Sequence, residues 1–117
     1  LGCTKGKMEN KPPDSWCDIN FWGNELTLHS SNCKQTNERH NVDMGNVSVP
    51  HFGVHFKPDE FKALKKRLIQ NNVKFVEEPY IRFEGGVLEQ ETMFIEDPNG
   101  NVLELKAMVN PDELFNQ

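Results

Sequence analysis

The stretch Met93-Phe94-Ile95-Glu96-Asp97-Pro98-Asn99-Gly100-Asn101-Val102-Leu103-Glu104-Leu105 sets two apolar runs on either side of a short polar turn. Proline second and glycine fourth in Asp97-Pro98-Asn99-Gly100 are the type I turn preferences, so strands are expected over 92–95 and 102–106. In the second strand Leu103 and Leu105 share one face, and Glu104 takes the other.

Working outward, Val73-Lys74-Phe75-Val76 and Pro79-Tyr80-Ile81-Arg82-Phe83 lead to a Gly85-Gly86 turn and supply a further strand region. Pro58-Asp59-Glu60 opens a helix, because proline suits the first turn and the two acids face the positive end of the dipole. Phe61, Leu64, Leu68 and Ile69 then form one apolar stripe, with Lys62, Lys65, Lys66 and Arg67 as its solvated back. Residues 47–56 read as a strand with Phe52, Val54 and Phe56 on one face and His51, Gly53 and His55 on the other. The second half is therefore strand, helix and three further strands, an α+β order.

The first half shows only the tail of such a unit. Residues 1–14 are polar and end in Lys11-Pro12-Pro13-Asp14, leaving room for at most a short edge strand. Two strands joined at Gly23-Asn24 follow, the second being Glu25-Leu26-Thr27-Leu28-His29 with period-two alternation. Residues 31–46 hold almost nothing to bury and read as a long polar loop, placed after His29 where it would serve as a mobile lid.

The chain has 117 residues, 13 basic against 18 acidic side chains and a net charge of −5, with mean hydropathy −0.69. That is one domain with a thin core, expected to run over 1–117 as 1–30, a loop 31–46, a module 47–108 and a tail 109–117. Nothing basic is longer than Lys65-Lys66-Arg67, so there is no electrostatic reason to hold a nucleic acid. The apolar runs are far short of the ~20 residues of a membrane span. Cys3, Cys17 and Cys33 match no CxxC spacing and cannot all pair, which favours free thiols and a cytoplasmic setting.

Alternation puts His29, His51 and Glu104 on the polar faces of three strands. Two imidazoles and a carboxylate are a competent set for a divalent ion with open positions for substrate or dioxygen. A Glu between two leucines is equally the wet side of a half-buried pleat, and gaps of 22 and 53 residues form no local ligand motif.

The stretch 93–105, together with Val49-Pro50-His51-Phe52-Gly53-Val54, resembles the terminal hairpin and the second-module first strand of the vicinal oxygen chelate superfamily, which holds glyoxalase I, bleomycin resistance proteins and extradiol dioxygenases. The resemblance spans about residues 1–108. It implies paired βαβββ modules around a shared cup, with the first and last strands of each module supplying metal ligands. His51 and Glu104 then match the second module's ligands, and His29 matches the last-strand ligand of the first. Leu1-Gly2-Cys3 is similar to the close of the first module's helix, which implies a first module truncated at its N-terminus and lacking its first-strand ligand. Glyoxalase I has a Glu where this chain has His29.

The implied chemistry is chelation of two neighbouring substrate oxygens on Zn, Ni, Fe or Mn, in a lyase, isomerase or dioxygenase reaction. Glu104 is the catalytic candidate for moving a proton, Arg82 a clamp for an anionic substrate, and His55 a substrate contact. The other readings are a metal-free small-molecule binder of the bleomycin resistance type and an inactive truncated relative. A homodimer is expected, since Leu26 and Leu28 lack a covering helix and a sheet edge stays open.

Overall fold

The computed structural model describes residues 1–32, 39–42, 45–48 and 50–116. The chain divides into two compact units, Leu1–Lys34 and Gln35–Gln117.

The first unit is a three-stranded antiparallel sheet in the order β1 (Thr4–Glu9), β2 (Trp16–Phe21), β3 (Asn24–His29). The short edge strand expected before the proline pair is β1. The β2–β3 turn sits one residue earlier than Gly23-Asn24: Trp22 and Gly23 take φ of 49° and 87°, the doubly positive form that matches strand twist in a two-residue hairpin. Asn20 Oδ1 accepts from the Gly23 amide at 2.8 Å and steadies it. No helix lies among the described residues of this unit, and Leu28 is exposed.

The second unit opens with a hairpin, β4 (Arg39–Val42) and β5 (Gly45–Ser48). Strands thus occupy part of what reads as polar loop, and the single large apolar residue of β5, Val47, is fully buried. Residues 33–38 and 43–44, on which the expected lid also rests, lie outside the described residues, as do Cys33 and Val49. The expected strand 47–56 is two strands, because Pro50 has no amide to give a ladder: β5 ends at Ser48 and β6 (Phe52–Phe56) belongs to another sheet.

From β6 the order is βαβββ: α1 (Pro58–Gln70), β7 (Phe75–Arg82), β8 (Gln90–Glu96) and β9 (Val102–Met108), then a 3-10 turn over Pro111–Phe115. Helix α1 starts with Pro58 in its first turn and the Lys57 amide donating to Glu60 Oε2 at 3.2 Å. It ends where Asn72 turns left-handed (φ 53°), with Asn72 and Val73 amides donating to Ile69 and Leu68 carbonyls, a Schellman stop. Phe61, Leu64 and Leu68 are buried against β6 and β9, whereas Ile69 is exposed.

The four-stranded sheet runs β6-β9-β8-β7, with β6 parallel to β9 and the other pairs antiparallel. Pro79 is accommodated because β7 is an edge and its register slips on both sides of Glu77. Leu103, Leu105, Met93 and Ile95 fill the layer between sheet and helix. The remaining aromatics divide: Phe94 is buried, while Phe52 and Phe83 are exposed.

Candidate metal centre

The β8–β9 turn fixes the register of the site. Asp97 Oδ1 accepts from the Asn99 and Asn101 amides at 2.9 and 2.8 Å, Asp97 Oδ2 accepts from Asn101 Nδ2 at 2.8 Å, and the Gly100 amide closes the turn onto the Asp97 carbonyl. Glu104 then falls opposite Phe94 on β8 and Gly53 on β6, and Lys106 opposite Thr92 and His55. These side chains share the face turned away from α1.

On that face His51, one residue before β6, brings Nε2 to 3.4 Å from Glu104 Oε2, both side chains about four-fifths buried. Lys106 Nζ stands 3.7 Å from the other carboxylate oxygen. The His51 ring meets Phe94 edge to face, with centroids 5.5 Å apart and planes at 85°. Phe94 in turn forms a buried cluster with Val47 and Val102, with Val76 and Tyr80 packed against it. The imidazole is thus held between an apolar floor and a carboxylate.

Two donors bonded to one ion at about 2.0–2.2 Å and lying side by side are roughly 3–3.5 Å apart. An imidazole and a carboxylate at 3.4 Å have the spacing of two such donors; among the described residues of this unit no further His, Cys, Asp or Glu completes a set of three. His29 closes β3 of the first unit, exposed and opposite Trp16, on the face where Thr27 Oγ1 donates to Asp18 Oδ1 at 2.7 Å.

His55 shares the face with Glu104 two residues further along β6. Burial, and secondarily the nearby Lys106 cation, push its pKa below the usual 6.5, which keeps the ring neutral at pH 7. Its Nε2 is buried without a hydrogen-bond partner among the described residues, as are Thr92 Oγ1 and Gln90 Oε1. Arg82 lies opposite Gln90 and carries its guanidinium 4.6 Å over the Phe83 ring. Lys106 is the site residue that sequence reasoning passed over. Its signal was its position two residues after Glu104, which forces it onto the same face.

No protein-family model and no curated protein matches the chain. Solved structures do. A glyoxalase/bleomycin resistance protein/dioxygenase from Alicyclobacillus acidocaldarius is 31% identical with a TM-score of 0.73, over 98% of this chain and 80% of that one. A glyoxalase family protein from Enterococcus faecalis, 19% identical with TM-score 0.62 over 91% and 79%, shares the fold. So does a mutant fosfomycin resistance protein FosX from Listeria monocytogenes, complexed with Mn(II) and 1S,2S-dihydroxypropylphosphonic acid, at 11% identity and TM-score 0.66 over 96% and 78%.

Proposed function

Because the chain belongs to the glyoxalase/bleomycin resistance protein/dioxygenase family of the vicinal oxygen chelate superfamily, we propose that it is a metalloprotein chelating two neighbouring oxygens of a small substrate. His51 and Glu104 are two of the ligands. The observation that carries this reading is the 3.4 Å approach of His51 Nε2 to Glu104 Oε2 on one sheet face. A divalent ion held there supplies Lewis acidity toward the chelated oxygens. Mn(II) is the first ion to test, since the Listeria relative is complexed with it.

The chain's own groups divide the remaining work. Glu104 is the carboxylate within reach to take or return a proton. Neutral His55, with a buried and unsatisfied Nε2, offers a hydrogen bond to a substrate hydroxyl, and Arg82 offers a clamp for an anionic end. The reaction is of the lyase/isomerase or dioxygenase class, in a cytoplasmic homodimer.

A second reading is favoured by Lys106. A protein cation already 3.7 Å from Glu104 balances the carboxylate without an ion, which fits a metal-free binding protein of the bleomycin resistance type.

Elemental mass spectrometry of the purified protein, with Mn(II) titration followed by electron paramagnetic resonance, separates the two. The metal reading expects near-stoichiometric binding. It also expects a loss of roughly 100-fold or more in affinity for His51→Ala, beyond the 10–100-fold typical of outer groups. Absence of binding by the wild-type protein leaves the metal-free reading.

A further inference from the structure

Gly53 lies directly opposite Glu104 across the parallel β6–β9 pair. A Cβ added to its present backbone would overlap the Glu104 carbonyl oxygen and lie 2.6 Å from the carbonyl carbon and 3.1 Å from Cα. The obstacle is backbone, so no rotamer change relieves it; the strands themselves must part. Carbon atoms settle at about 3.5–4.0 Å, so β6 would have to withdraw from β9 by at least about 1 Å.

One donor, Glu104, is on β9, and the other, His51, immediately precedes β6 and moves with it. Withdrawal of that size takes the His51–Glu104 spacing from 3.4 Å to about 4.4 Å. Donors that far apart reach one ion, at about 2.2 Å each, only from diametrically opposite sides, and neighbouring strands on one sheet face present no such geometry. The packing of the His51 ring on Phe94, at 5.5 Å between centroids, would be stretched with it.

We infer that Gly53 is a positioning residue for the His51–Glu104 pair: its missing side chain sets the approach of β6 to β9 that gives the pair its ion-sharing distance. This rests on the metal reading above, and the test keeps the two apart.

Gly53→Ala is compared with Val54→Ala, a neighbour on the same strand whose truncation weakens β6 packing without placing a new carbon at position 53. Three quantities are measured on the full chain: the urea midpoint, Mn(II) affinity by electron paramagnetic resonance, and nuclear Overhauser cross-peaks between the His51 and Phe94 rings without metal. The expected result is a folded Gly53→Ala protein that binds Mn(II) at least tenfold more weakly and shows clearly weaker cross-peaks between the two rings. Val54→Ala should keep the cross-peaks and bind within about twofold of wild type despite a lower midpoint.

A Gly53→Ala protein that keeps the cross-peak intensity and the affinity overturns the inference. So does one that fails to fold, because glycine would then serve the fold as a whole. If wild-type protein binds no Mn(II), the metal reading falls, and the cross-peaks alone decide Gly53: a marked loss of intensity supports the inference and unchanged intensity overturns it.

Discussion

Lys106 shares Glu104 with any cation that His51 and Glu104 hold, since its Nζ lies 3.7 Å from Oε1. Removing that charge as Lys106→Met should tighten Mn(II) binding by roughly threefold to tenfold, about 0.7–1.4 kcal/mol; unchanged or weaker binding in the same titration would show that Lys106 does not compete. His55 gives a pH signature. Its folded-state pKa is depressed by burial and then by Lys106, so the unfolded chain binds the proton more readily, and stability present above about pH 6.5 falls as pH drops below it. Urea unfolding between pH 5 and 8 should show His55→Gln losing less stability on acidification than wild type, and equal slopes would refute the assignment. Of these residues, His51, His55 and Glu104 were legible because a strand repeats every two positions and each interrupts an apolar alternation. Lys106 was not, because a lysine on a wet face looks ordinary until a partner is known. Gly53 carries no side chain to read, and its importance depends on a register set 51 positions away, at Glu104.

At the scale of elements, the β8–β9 turn is the joint that sets which residue meets Glu104. Asp97→Ala removes the acceptor of two amides and one side-chain amide and should cost about 1–2 kcal/mol in urea unfolding; a change below ~0.3 kcal/mol would mean that Pro98 and Gly100 hold the turn unaided. This hairpin and α1 were the legible elements, since Pro, Gly and the acidic first turn are local signals that the tertiary structure does not override. The β4–β5 hairpin was illegible. Its sequence is mostly polar, and the burial of Val47 against Phe94 and Val102 comes from residues far along the chain. Ile69 fails in the opposite sense: it continues the helical period by one position beyond the face that the sheet covers.

Over the whole molecule, β6 matters most. It stands at the end of its four-stranded sheet, beside β9, and its Phe52 is 43% exposed. An exposed aromatic of this kind is surface that a second copy can cover. Light scattering at micromolar concentration should therefore give about 27 kDa, twice the 13.5 kDa chain, whereas a folded monomer would count against the dimer. The parallel β6–β9 pair also has a kinetic consequence. α1 and the β7-β8-β9 meander are built from near neighbours, while pairing Phe52 with Leu103 must close a loop of about 50 residues, the dearest in conformational entropy within the unit. His51 and Glu104 meet only through that closure, so they should come together after the barrier to folding has been crossed. Mn(II) added in stopped-flow experiments should then slow unfolding and leave the refolding rate nearly unchanged. Acceleration of refolding by the ion would place the pairing of β6 with β9 before the barrier instead.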